Sequence, residues 1–238
     1  MRIVDLSQPL SPRTPRSSDH PQVTFETLRW YSRDGMKAHQ ITASLHSGTH
    51  VDAPALYFSD GDTIEQLSLD GFWGTALVVD VDLEPRGVIS AEHLEKIAGD
   101  IQPGEMLALY TGYSKNIYDE ETYILKAPGL GKSGVDWIVE HGVKAVWVDS
   151  PSAEHIFSRS RQWKKLRPEQ WPDDLFDPAE FPPAYAHKTF LPAGIMMVEN
   201  VSEALGQFVG QRVTLMALPV KYEGVEGAPC RAVALVDL

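Results

Sequence analysis

The sequence carries one cysteine in 238 residues, Cys230. An intramolecular disulfide framework and a multi-thiolate metal site are therefore both excluded. Such sparing use of cysteine fits a reducing compartment, and in a C-terminal strand the thiol reads as buried and inert. Long apolar runs are missing as well, and none approaches the ~20 residues that cross a bilayer. The opening MRIVDLSQPL lacks the basic-then-apolar layout of a secretory signal, so a cytoplasmic location is expected. Positive charge is scarce: 21 Lys and Arg stand against 33 Asp and Glu, a net charge of −12. A field of that sign repels phosphate backbones, which argues against nucleic acid as a partner. No GxxxxGK[ST] run occurs, and repeats and low-complexity tracts are absent.

What is present is ordinary globular material, 43% hydrophobic and 23% charged. A chain of this length buries about 70–75% of the surface its unfolded form exposes and needs no staples. Residues 2–6, 23–31, 39–45, 75–81, 106–110 and 144–149 read as strands from their β-branched or alternating composition. Residues 11–22, rich in proline and serine, read as a loop, and Gly35 marks a turn. Ser90 predicts an N-cap for a helix over 91–99 with Leu94, Ile97 and Ala98 on one face. A second helix near 135–140 is closed by Gly142. The strand–helix–strand rhythm predicts an α/β layer fold in one domain spanning 1–238.

Residues 156–186 interrupt that rhythm with a long loop excursion. Trp163, Trp171, Phe176, Phe181 and Tyr185 crowd it, and prolines break it. These aromatics either cover a flat apolar substrate or pack against a second subunit. The basic run 159–167 reads as a solvated loop or as a local attractor for a carboxylate substrate.

The chemistry-bearing stretch is HSGTHVDAP at 46–54, which places His46, His50 and Asp52 within seven residues. Imidazole and carboxylate are ligands that Zn, Mn or Fe accept, although three such residues also occur in hydrogen-bonded surface turns. Fully extended, His46 and Asp52 lie roughly 20 Å apart; in a helix Asp52 leaves the histidine face. A bend at Ser47-Gly48 followed by a short extended run brings all three together. Farther on, His187 and Glu199 sit twelve positions apart in AHKTFLPAGIMMVEN, where the LPAG turn can reverse the chain.

HxGTHxDAP with a downstream AHxxxLxAGIxxxEN resembles the cyclase family of metal-dependent hydrolases, which includes bacterial kynurenine formamidases, isatin hydrolases and a trans-dienelactone hydrolase. DLSQPLSP, SAEHLEKI, LALYTGYSK and GVKAVWVDSP extend the likeness over residues 3–205. The resemblance implies a swivelling β/β/α fold, with a small barrel-like central sheet flanked by helices, and a homodimer or homotetramer. It assigns His46, His50 and Asp52 to a first metal site and Asp52, His187 and Glu199 to a second metal side. The family continues DAPxHF where this chain has DAPALYF, so Leu56 replaces a histidine that ligates or takes protons. That change points to one Zn or Mn ion on the first trio, with His187 and Glu199 free for proton transfer. Leu56 makes the substrate pocket wall apolar there, and the adjacent Tyr57 is a further pocket candidate, although in an extended run it points away from Leu56. His155 follows a strand end and either faces the pocket or lies on the surface. The expected activity is metal-dependent hydrolysis of a small amide, cyclic amide or lactone. Ring closure or elimination on a carbonyl substrate is the alternative within enzymes, and a catalytically inactive metal- or ligand-binding subunit the alternative outside them.

Overall fold

The computed structural model describes residues 1–16, 20–159, 169 and 176–236. Trp163, Trp171 and most of the basic run lie outside them. Four strands carry the centre: β5 (Trp73–Asp80), β7 (Met106–Tyr110), β9 (Ala145–Val148) and β10 (Met196–Glu199). They run parallel in that order, with Ala76 opposite Met106, Met106 opposite Ala145 and Ala145 opposite Met196. Parallel neighbours need crossovers, and helices α2 (Ala91–Ala98), α4 (Lys132–Glu140) and α5 (Tyr185–Phe190) supply them. Ahead of these lies α1 (Tyr31–Asp34), a single turn, and between α2 and α4 lies α3 (Glu120–Lys126), which the sequence pattern did not reveal.

Antiparallel strands complete the sheet. β11 (Arg212–Pro219) pairs with β5, and the long β12 (Gly227–Val236) pairs with β11. On its other edge β12 takes up β1 (Arg2–Asp5) at one end and β4 (His50–Asp52) at the other. Since β4 also pairs with β10, the sheet closes into a seven-stranded barrel, with β1 attached outside the ring. Two further pairings stand apart, β2 (Thr24–Arg29) with β3 (Ala38–Thr42) and β6 (Val88–Ile89) with β8 (Gly129–Leu130).

The period of two along each strand sorts the core. Ala76, Val78, Met106, Ala108, Ala145, Trp147, Met196 and Val198 point into the barrel. Leu77, Val79, Leu107, Leu109, Val146, Val148 and Met197 point outward beneath the helices. With both faces buried, these strands read as continuous apolar runs. Small alanines inside leave room for the Trp147 indole, whose side chain is fully buried. Outside, Leu94 and Ala98 of α2 and Val135 and Ile138 of α4 cover the barrel. Burying each such Val or Leu contributes about 1.5–3 kcal/mol. Ser90 caps α2 by accepting the His93 N–H.

The run GLGKSG at 129–134 has GxGxxG spacing and opens α4, yet it does not cradle phosphate. The Glu180 carboxylate crowds Gly131, and the Ile89 carbonyl crowds Gly134, so glycine serves close packing here. From the excursion, Phe176 and Phe181 pack on Phe157, Tyr123 and Ile124, and Tyr185 donates its hydroxyl proton to Asp136 Oδ1 at 2.8 Å. These three aromatics are satisfied within their own chain.

Candidate metal centre

The site lies where β4 meets β10. Glu199 pairs with His50, and Asp52 pairs with Gly227 on the opposite edge. Gly48, at φ +68, makes the bend that returns His46 to the strand. His46 Nδ1 donates to Asp52 Oδ1 at 2.8 Å, and His46 Nε2 lies 3.3 Å from Glu226 Oε1. His50 Nδ1 donates to the Gly48 carbonyl at 2.9 Å. That bond turns His50 Nε2 inward, 3.5 Å from Asp52 Oδ1 and 3.7 Å from Glu199 Oε2. The backbone crowds this corner: a Cβ on Gly227 would stand 2.9 Å from the Val51 carbonyl oxygen and 3.0 Å from the His46 ring.

The second half comes from α5 and the end of β10. His187 Nε2 lies 3.3 Å from Asp52 Oδ2 and 3.7 Å from Glu199 Oε1. Glu199 Oε1 accepts from the Ser152 hydroxyl and the Ala153 N–H, both at 2.9 Å. Asn200, at φ +58, turns the chain directly after Glu199 and is tied at every polar group. Its carbonyl accepts from Thr49 Oγ1 at 2.7 Å, and its side-chain oxygen accepts from the Tyr123 hydroxyl at 2.8 Å. Thr49 Oγ1 in turn accepts the Gln8 N–H at 2.8 Å, so this hydroxyl braces the loop.

Glu154 is the residue that sequence reasoning missed. Its Oε1 accepts from His187 Nδ1 and from the His187 backbone N–H, both at 3.0 Å. Its Oε2 is buried with no hydrogen-bond partner among the described residues. Only its place in the DSPSAE segment, just beyond a strand end, offered a signal.

Two groups of ligand atoms therefore converge, His46–His50–Asp52 and Asp52–His187–Glu199, each within 4.8 Å and sharing Asp52. Imidazole nitrogens with carboxylate oxygens form a donor set for a divalent first-row ion. Buried carboxylates want a cation, and no Lys or Arg ion-pairs with Asp52, Glu154 or Glu199 among the described residues. The residues fit a metal. Burial alone would push the Asp52 carboxyl up, yet the surrounding imidazoles His50, His187 and His46 outweigh it and hold the group well below the usual range. Burial would likewise lower His187, but Asp52, Glu154 and Glu199 outweigh it and raise its pKa well above the ordinary value.

A cavity of about 430 Å³ opens over this cluster. Leu56 and Tyr57 both line it. The extended run expected there is a 3-10 turn, Pro54–Leu56, which swings Tyr57 back until its ring centre lies 5.4 Å from that of His187. His155, expected either at the pocket or on the surface, is at neither. It is fully buried off the cavity, its Nε2 donating to the Arg86 carbonyl at 2.9 Å and its Nδ1 accepting the Phe157 N–H at 3.2 Å. Burial pushes its pKa down to about 4, so it stays neutral. Burial raises the Cys230 thiol to about 12, which keeps it protonated.

The Cyclase (Putative cyclase) family model matches residues 4–155. The chain is 28% identical to a kynurenine formamidase of Salinibacter ruber over 235 residues, which cover 98% of this chain and 97% of that protein. It superposes on isatin hydrolase A from Labrenzia aggregata with a TM-score of 0.80 at 21% identity, covering 98% of this chain and 93% of that one. For isatin hydrolase A from Ralstonia solanacearum the TM-score is 0.79 at 24% identity, over 99% and 92% of the two chains. With the family model matched over more than half its length, the chain belongs to the cyclase family.

Proposed function

We propose that this protein is a metal-dependent hydrolase of small amides, cyclic amides or lactones. The observation that carries this reading is the pair of ligand groups sharing Asp52 beneath a substrate-sized cavity. Its likeness to a formamidase and to isatin hydrolases, both acting on amide C–N bonds, supports the same reading. His46, His50 and Asp52 would hold one Zn or Mn ion, and Asp52, His187 and Glu199 form a second metal side if a further ion enters. The ion supplies Lewis acidity to a carbonyl oxygen and acidity to water.

The chain's own residues do the rest. Glu199 Oε1 is saturated by Ser152 and Ala153, which leaves Oε2 to take a proton from the attacking water. His187, fixed by Glu154, holds its Nε2 toward Asp52 and Glu199 and returns a proton to the leaving nitrogen or oxygen. Leu56, Tyr57 and Ile124 give the cavity an apolar wall suited to an aromatic or alicyclic substrate. Ring closure and elimination begin at the same polarised carbonyl, and they are the alternatives within enzymes.

We further place the protein in the cytoplasm as a homodimer or homotetramer acting on a small molecule. Among the described residues no helix is long and apolar enough to cross a membrane. The β2–β3 hairpin and its turn expose Phe25, Leu28, Trp30, Tyr31, Met36 and Ile41, an apolar surface suited to a second copy. An isolated two-stranded hairpin is marginal in water, which adds to the case.

A panel of aryl formamides, isatin-like lactams and aryl lactones tests the activity on metal-loaded protein. Turnover of at least one class is expected. Full metal content with no turnover of any class would support the inactive metal-binding reading instead.

A further inference from the structure

Cations are few in this chain, and several are matched to acids: Arg33 with Asp34, Lys132 with Asp136, Arg212 with Glu105, and Arg231 with Asp5. Arg16, Arg159 and Lys188 differ. All three line the cavity, and none ion-pairs with a carboxylate among the described residues. Arg16 is instead held by neutral acceptors, its Nη1 on the His20 carbonyl at 2.5 Å and its Nε on Gln22 Oε1 at 3.2 Å. Lys188 Nζ donates to the Pro183 carbonyl at 3.3 Å and lies 5.7 Å from the centre of the Tyr57 ring. Tyr57 bridges from there to His187. These bonds orient the cations without neutralising them.

Charge is therefore sorted by depth. The acids Asp52, Glu154 and Glu199 are buried at the base, whereas Arg16 and Arg159 are part-buried and Lys188 is exposed. In a protein of net charge −12, three cations around one cavity, with no ion-pair partner among the described residues, create a local field of opposite sign. Guanidinium groups match carboxylates best, through paired N–H donors.

Resting on the hydrolase reading above, we propose that the substrate carries a carboxylate away from the bond that is cleaved, and that Arg16, Arg159 and Lys188 receive it. The scissile group lies at the metal cluster, and the anionic substituent points back toward the mouth.

The test compares 2-, 3- and 4-formamidobenzoate with formanilide on metal-loaded protein, beside calorimetric binding of the corresponding aminobenzoates and aniline. At least one carboxylate isomer is expected to exceed its neutral counterpart about tenfold in kcat/KM and in binding, with the preference shrinking as salt rises. Arg159→Gln, Lys188→Gln and Arg16→Gln should each lower that ratio, and Arg159→Glu should lower it most. If Arg16→Gln fails to fold, the other variants carry the test. A carboxylate that binds salt-dependently through these residues without turnover would keep the proposal and sink the hydrolase reading. Equal treatment of charged and neutral compounds would overturn the proposal. So would a carboxylate preference that survives every substitution and vanishes only when the metal is removed.

Discussion

The two halves of the candidate site are built by different means. His50 and Asp52 sit in a strand paired on both edges, so the main chain holds them, and His46 is returned by one glycine bend. His187 and Glu199 come from a helix and a strand end, and side chains hold them. Glu154 grips His187, while Ser152 and the Ala153 N–H grip Glu199. One short segment, 152–154, thus orients the whole second half. The first half is a candidate metal seat held by the main chain; the second is adjustable through three neighbouring residues. Asp52 alone belongs to both.

The comparison breaks most completely at Asp52. Asp52→Ala removes the shared carboxylate and should strip most of the metal and at least about a hundredfold of the activity, as elemental analysis and kcat would record. His50→Ala should lose metal similarly.

Glu199→Gln separates holding metal from moving protons. The variant should keep its metal on the first half while losing roughly a hundredfold in rate. Loss of the ion as well would make Glu199 a ligand and join the halves into one two-metal site.

Glu154→Gln should cost less, about tenfold in rate, with metal on the first half retained. The amide still fills the space but no longer offers His187 a charged acceptor. Glu154→Asp should recover part of the loss. A variant as fast as the parent would show that His187 is held by packing alone.

An effect on stability rather than on rate lies at His155, immediately after the gripping segment. Its pKa of about 4 in the folded state lies below the ordinary 6.5 of the unfolded chain. The unfolded state therefore takes up its proton first. The stabilisation is complete above pH 6.5 and is lost as pH falls toward 4, about 3 kcal/mol in all. His155→Gln should flatten the fall in Tm across that window, and an unchanged slope would place the acid sensitivity elsewhere.

Much of the first half was legible because its signals are local. Gly48 and the HxxxH-x-D spacing lie in one stretch, and only one backbone path unites them. The parallel strands were legible too, since burial on both faces writes a continuous apolar run such as MLALY at 106–110. The second half was not readable locally. His187 and Glu199 are a weak pair across the LPAG turn until the family resemblance gives them a role, whereas Glu154 looks like any acid in a loop until the fold sets it against His187, 33 positions away. Tyr57 does line the pocket, but by way of a 3-10 turn begun at Pro54 rather than the extended run the sequence suggests. The closure of the barrel by β12 and β4 joins residues more than 170 apart, which no local pattern encodes.

Metal removal tests the central claim most directly. Protein stripped by a strong chelator and dialysed should hydrolyse no member of the amide and lactone panel. Titration with Zn or Mn should restore the rate, reaching a plateau near one equivalent if the first half alone is filled. Full hydrolysis by protein shown to be metal-free would contradict the account.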